Sequence, residues 1–230
     1  MNSVKLVAYT HPQIRIPVED EGHEPGTFRL LGPESFIAYC ARVSNPANQD
    51  NPDSERLLKY LVKNKHWSPF EMVHIVMEIE TTRDIGRQIL RHRSFSFQEF
   101  SQRYAAVQEM SEPRETRMQD FKNRQNSIET DNDKLTEVWK AYQRNVIRYA
   151  QTTYDWAIKN GIAKEQARVI LPEGLTMSRM YMSGSLRSWI HYCELRMGNG
   201  TQKEHREIAT QCWNIITEQF PSLKNVLDNQ

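Results

Sequence analysis

Apolar residues recur at helical spacing along most of the chain and switch once to a two-residue alternation, which already divides it into elements. Residues 34–43 and 54–66 read as helices, the second with Leu57, Leu58, Leu61 and Val62 on one face and Ser54 as its N-cap. From Met72 to Thr81 the period changes: Val73, Ile75, Met77 and Ile79 alternate with His74, Glu78 and Glu80, the pattern of a half-buried strand. Helical character returns over 82–92, with Ile85, Ile89 and Leu90 inward and Arg83, Arg87 and Arg91 spaced four apart along one side. A long helix is predicted from Asp133 to Asn160. Its apolar stripe is Leu135, Val138, Trp139, Tyr142, Val146 and Tyr149, and Gly161 is its stop. A shorter helix over 163–171 ends before Pro172, and residues 175–182 fit strand and helix equally. Two more helices follow at 185–196 and 202–219, the last opened by Thr201 and Glu204 at capping-box spacing. Residues 11–33, rich in Pro, Gly and acidic side chains, read as loops, and the polar segment 111–132 as a long loop or short irregular elements.

The sum predicts an α+β fold: one helix-rich domain over residues 1–230, with a small, mostly antiparallel sheet flanked by helices. Internal repeats, βαβ alternation and a glycine-rich phosphate loop are missing from the sequence, so a Rossmann-type nucleotide site is not supported.

Composition narrows the class. Lys and Arg total 30 against 29 Asp and Glu, a formal charge of +1, which argues against a general nucleic-acid binder. Any basic patch must be local. The first ten residues lack the apolar run of a signal peptide, and no stretch approaches the roughly 20 apolar residues of a membrane helix. Cys40, Cys193 and Cys212 are far apart and form no CxxC pair, so neither a disulfide framework nor a metal site is expected. Cys193 and Cys212 fall among apolar helical positions, where free thiols are commonly buried. A reducing cytoplasm is the expected location.

One segment concentrates chemistry. Between Gln88 and Arg103 lie Arg91, His92 and Arg93, then Ser94, Ser96, Gln98, Glu99, Ser101 and Gln102, interleaved with Phe95, Phe97 and Phe100. Gln88 and Arg91 lie one helical turn apart, and extended backbone further on would put Glu99, Ser101 and Arg103 on one side. Arginine suits phosphate through its planar fork, and glutamate and glutamine suit sugar hydroxyls and the polar edge of a base. On residue chemistry alone this is an anion or nucleotide site, set against a helix whose arginines simply face water. Ser101 has no identifiable base beside it, so it reads as a binding group rather than a nucleophile.

The spacing resembles the flavin-dependent thymidylate synthase family, whose signature is RHRxxSxNxxSxR. Arg91-His92-Arg93, Ser96, Ser101 and Arg103 match it, and Gln98 replaces the asparagine. Four further segments resemble the family in order: Ala41-Arg42-Val43-Ser44, His66-Trp67-Ser68-Pro69-Phe70-Glu71, Ala167 to Pro172 with Arg168, and Leu186 to Arg196. Ser185 and His191 stand where relatives often carry Asn, and Gly200 where some carry His.

The resemblance implies methylation of dUMP to dTMP, with methylenetetrahydrofolate as carbon donor, NADPH as reductant, FAD as cofactor, and no cysteine nucleophile or metal. It implies Arg196 as the catalytic residue, stabilising charge on the pyrimidine. For dUMP it implies Gln88, Ile89, Leu90, Arg91, Glu99, Phe100, Ser101, Gln102, Arg103, Arg168 and Arg196. For FAD it implies Ser44, His66, Ser68, Arg91, His92, Arg93, Glu99, Ser185, Leu186, Arg187 and His191, with His66 also bordering the folate or nicotinamide pocket. It further implies a homotetramer with shared active sites and neither nucleic acid nor membrane as partner. Two other classes stand beside it: a single-stranded RNA module stacking bases on the phenylalanines, and a pyrimidine nucleotide hydrolase.

Overall fold

The alternation over 72–81 becomes the strand that organises the molecule. A computed structural model of the chain describes residues 2–17, 27–51 and 53–227. In chain order its elements are β1 (Ser3–Tyr9), β2 (Arg15–Pro17), β3 (Phe28–Leu30), α1 (Pro33–Ala41), α2 (Glu55–Lys63), β4 (His74–Thr82), α3 (Arg83–Ile89), β5 (Ser96–Glu99), β6 (Arg117–Gln119), β7 (Ser127–Glu129), α4 (Asp133–Lys159), α5 (Lys164–Ala167), β8 (Met177–Ser185), α6 (Leu186–Met197) and α7 (Lys203–Gln219). The main sheet has the order β1-β4-β8-β5, and every neighbouring pair is antiparallel. The α+β expectation holds.

β4 and β8 pair along their whole length, from His74 opposite Ser185 to Thr82 opposite Met177. The register places Met77 against Met182 and Ile79 against Met180, and all four side chains are fully buried. Each such side chain removed from water contributes about 1.5–3 kcal/mol. Residues 175–182, ambiguous in sequence, thus become strand: methionine favours helix locally, but burial of Ser178, Met180, Met182 and Gly184 on one face decides for pairing. α6 and α7 cover that face with Trp189, Ile190, Cys193, Ile208 and Cys212, and the Trp189 indole donates to the Ile75 carbonyl at 3.1 Å. Gly184 is required where it stands, because a Cβ there would lie 2.5 Å from the Phe95 ring.

Several expectations are corrected. The segment 11–33 contains the β2–β3 hairpin, and 111–132 contains the β6–β7 hairpin; both are two-stranded ribbons too short to show a period. α3 ends at Ile89, so Arg91 lies beyond it, while Arg83 and Arg87 converge on Glu173. Ser54 occupies the N-cap of α2 without a side-chain cap bond. The capping box at Thr201 does not form: Gln202 is the N-cap of α7, Thr201 donates to the Leu195 carbonyl and Glu204 pairs with Arg117. The largest departure is α4. It begins as predicted, with the Asn132 side-chain oxygen Oδ1 accepting from the Leu135 amide, and stops before Gly161 at φ +78°. Yet its apolar stripe lies open, with Val138 53%, Tyr142 62% and Tyr149 78% exposed. The face buried within the protomer is Gln143, Ala150, Tyr154 and Ala157.

Candidate active site

Among the helices and strands, α6 carries the most candidate residues. Ser185 ends β8 and caps the helix, its hydroxyl oxygen accepting the Ser188 amide at 3.3 Å. Leu186 is buried beneath it as a packing residue. Arg187 and His191 follow one turn apart, and Arg196 sits in the last turn, where a cation answers the carbonyl end of the dipole.

Arg196 is held by His92. Its Nε–H donates to His92 Nε2 at 2.9 Å, so the imidazole presents a lone pair there. The ring is neutral: burial, and then the charges of Arg196 and Arg91, lower its pKa to about 4. Tyr192 packs edge-on against His92 with centroids 4.9 Å apart. The chain of contacts continues into α7. The Tyr192 hydroxyl donates to His205 Nε2 at 3.1 Å, and His205 Nδ1–H to Gln88 Oε1 at 3.3 Å. The Gln88 amide donates to Gln202 at 2.8 Å, and Gln202 donates to Glu204 at 3.0 Å. His205 is fully buried and is pushed down to about 3, chiefly by burial, so it too is neutral. Arg196 spends one of its five N–H donors on His92, and among the described residues the others have no partner. Ile89 is buried and Leu90 half-buried behind this network, where they pack rather than present polar groups.

A second group joins the other end of α6 to the turn at Ser68–Met72. Arg187 donates to Glu71 at 2.7 Å. Burial works against the Glu71 carboxylate, but hydrogen bonds from Arg187 and Ser185 outweigh it and hold its pKa below the ordinary range. His191 meets Trp67 edge to face at 4.9 Å, and the Ser188 hydroxyl donates to the Ser94 carbonyl at 3.4 Å, tying the arginine-rich loop to the same helix. His66 and Ser68 are exposed on either side of Trp67. Arg91 and Arg93 are exposed and form no ion pair among the described residues, so two guanidinium forks are open to an anion.

The third group lies along β5 and the chain after it. Glu99 accepts from the Ser178 hydroxyl at 2.9 Å and faces Arg83 at 3.6 Å. Phe100 donates its amide to the Arg179 carbonyl at 2.8 Å, and then the backbone turns: Tyr104 and Ala105 both donate to the Ser101 carbonyl. Glu99, Ser101 and Arg103 are therefore not on one side of an extended strand. Arg103 reaches Glu165 on α5 at 3.5 Å, and Arg168, half-buried, follows directly after that helix. Gln102 is buried with its amide nitrogen unpartnered. Ser44 lies in the turn after α1, exposed and bonded to none of these groups.

The protomer thus assembles two groups on α6 and leaves Arg103 and Arg168 to a third. Sequence reasoning did not single out Tyr192, His205, Gln202 or Glu71 as site residues. His205 left one signal, a histidine on the apolar stripe formed with Ile208, Ala209 and Cys212. Among the described residues no cluster of His, Cys, Asp or Glu is arranged to hold a metal ion, and no helix is long and apolar enough to cross a membrane.

Comparison with known proteins gives the geometry its context. The UMP/dUMP methylase PolB from Streptomyces cacaoi, solved bound with 5-Br UMP, superposes with a TM-score of 0.74 over 98% of this chain and 95% of its own, at 22% identity. That likeness shows the fold. The chain is 50% identical over 227 residues to a probable flavin-dependent thymidylate synthase of Paramecium bursaria Chlorella virus 1, covering 98% of this chain and 99% of that protein. It is 48% identical to the flavin-dependent thymidylate synthase of Synechocystis sp., over 98% and 99% of the two chains. Residues 29–222 match the family described as "Thymidylate synthase complementing protein", and the chain belongs to this family of flavin-dependent thymidylate synthases.

Proposed function

We propose that the protein methylates dUMP to dTMP: dUMP, methylenetetrahydrofolate, NADPH and a proton become dTMP, tetrahydrofolate and NADP+. The observation that carries this reading is Arg196, fixed at Nε by a neutral histidine and open at its remaining donors. A guanidinium oriented in advance stabilises negative charge developing on a pyrimidine carbonyl without reorganising, the largest kind of electrostatic contribution to catalysis. Gln88, fixed at both ends of its amide, keeps one donor and one acceptor site for dUMP beside it. Arg91 contributes there, with the backbone of Ile89 and Leu90. Glu99, Phe100, Ser101, Gln102, Arg103 and Arg168 hold the sugar and phosphate.

FAD fits the donors present. Arg91, Arg93 and Arg187 suit its pyrophosphate, while Ser68, Ser185, His92, His191, Ser44 and His66 suit its polar edges and Leu186 backs the site. Bound FAD supplies the hydride chemistry, and the chain's own residues place and polarise the nucleotide. No cysteine nucleophile is needed. Cys193 and Cys212 are buried and burial raises both thiols, as it does Cys40, so thiolate is scarce at neutral pH.

The same proposal makes the chain one functional domain in a homotetramer with shared sites, located in the cytoplasm. Two features support the assembly: the exposed stripe of α4, and the separation of Arg103 and Arg168 from the groups on α6, which lets arginines of one subunit complete the site of another. The test is retention of flavin together with dUMP-dependent NADPH oxidation in the presence of the folate. Arg196→Ala is expected to lower methylation by about 10²–10³ or more while flavin stays bound. Colourless protein that takes up no FAD, or unchanged turnover in the variant, refutes the reading.

A further inference from the structure

A cavity of about 730 Å³ lies between α2, the turn at Trp67, α6 and the segment after α7. Val62, Trp67 and His191 give it an apolar and aromatic wall, and Lys59, Lys63, Lys65 and Lys224 stand around it. Glu55 and Glu194 are its only carboxylates among the described residues. Glu55 is taken up by Lys59 at 2.5 Å, whereas Lys63, Lys65 and Lys224 form no ion pair among the described residues. Among the described residues the lining thus carries four lysines against two carboxylates, a net positive charge.

Lys65 is unusual in its backbone as well. Its φ is +57°, and it is the only residue with a side chain in the left-handed region among those described. It closes α2: the His66 amide donates to Leu61 at 2.8 Å and the Lys65 amide to Val62 at 3.0 Å, a helix end commonly made with glycine. The local conformation disfavours a Cβ at this position. A lysine in that conformation, on the lip of a cationic cavity, is the kind of outlier that points to a binding function. The next residues, His66, Trp67 and Ser68, lead straight from the cavity to the candidate cofactor groups.

We propose that this cavity holds the γ-linked glutamate tail of the folate co-substrate, with its carboxylates among Lys63, Lys65 and Lys224 and its aromatic portion against Trp67 and His191. The proposal rests on the thymidylate synthase reading above. The cations are all lysines at separate points. Mobile ammonium groups suit single charges spaced along a flexible chain, whereas a compact phosphate is better met by the planar fork of arginine, which this lining lacks.

The test compares methylenetetrahydrofolate bearing one glutamate with the form bearing five, bound to the FAD-loaded enzyme without NADPH or dUMP and followed by quenching of Trp67 fluorescence, with Trp67→Phe as control. The wild type is expected to bind the pentaglutamate roughly tenfold or more tightly, three exposed charge pairs each contributing a factor of about 2–5, and salt should erode the preference. Lys63→Gln, Lys65→Gln and Lys224→Gln combined should bind both forms alike. Lys65→Gly, which relieves the backbone and keeps the helix end, should lose part of the preference on its own. An unchanged ratio in the triple variant overturns the proposal. So does a loss of affinity in the triple variant confined to NADP+, titrated in the same way without turnover, which would place a phosphate there instead. Because binding is read without turnover, a tail preference in a protein that cannot methylate dUMP refutes the function proposed above, and methylation without a tail preference refutes only this site.

Discussion

His92 and His205 make stability depend on pH in a calculable way. In the folded protein burial holds them at about 4 and about 3, the charge of Arg196 adding to it in both. In the unfolded chain each returns to about 6.5. As pH falls below 6.5 the unfolded state takes up two protons that the folded state refuses, so stability is complete above about 6.5 and is lost on acidification. Each proton contributes about 1.4 kcal/mol per pH unit, so the two together give a slope approaching roughly 2.5 kcal/mol per unit between pH 6 and 5. Partial solvation of the half-exposed His92 ring lowers that to roughly 2. The carboxylates of Glu204 and Asp84, held low by hydrogen bonds from Arg117 and Arg114 against the opposing effect of burial, add losses of the same sign near and below their ordinary range, around 4 to 4.5. The window from pH 6.5 to 5 therefore isolates the histidines. Urea midpoints at fixed protomer concentration measure the slope, and His205→Gln should remove about half of it. Stability that stays level from pH 6.5 to 5, or a slope untouched by that substitution, refutes the assignment of two neutral rings.

Three further outcomes follow from packing. Gly184→Ala forces a methyl against Phe95 and should cost roughly 1–3 kcal/mol by thermal or urea unfolding; a neutral result would mean Phe95 moves freely. Tyr154→Phe strips the acceptor from the Val107 amide, bonded at 3.1 Å in the small core under α4, and should cost about 1–3 kcal/mol for an amide left buried and unpaired. Val138→Glu with Tyr142→Glu leaves the core of the chain untouched and should dissociate the proposed homotetramer in sedimentation; a tetramer that persists in the variant removes α4 from the proposed interface.

What could be read from sequence depended on whether a signal was local. The alternation of β4 was legible because one face of that strand is buried and the period is two, and the end of α4 because Gly161 acts within one turn. β8 was not, because Met-rich sequence suits both states and only pairing with β4 decides between them. The α4 stripe gave the period of the helix but not its buried side: within the chain Gln143, Ala150, Tyr154 and Ala157 are covered and the stripe is exposed. Arg83, Arg87 and Arg91 looked alike by spacing. The structure separates them, since Glu173, remote in sequence, captures the first two and the helix ends before the third. His205 and Tyr192 escaped notice for the same reason: their meaning arises only when α6 and α7 pack and close the path from Arg196 to Gln88.

The candidate arginines differ most in whether a carboxylate already occupies them, and that difference sorts their roles. Arg83 and Arg87 share Glu173, and Arg83 also faces Glu99; these pairs fix α3 against the turn before β8. Arg187 with Glu71 and Arg103 with Glu165 are exposed pairs between single partners. Exposed pairs of this kind contribute only about 0–1 kcal/mol, so an incoming phosphate exchanges partners at little cost while the pair keeps the guanidinium near its working position. Arg91 and Arg93 have no carboxylate to displace, and Arg196 is restrained by an uncharged ring that leaves its charge undiminished. A guanidinium meant to answer charge that appears only during reaction has to be held without being neutralised. A neutral, half-buried histidine meets that requirement where a carboxylate would not, and its partial burial, with the charges of Arg196 and Arg91 beside it, keeps it from gaining a proton of its own.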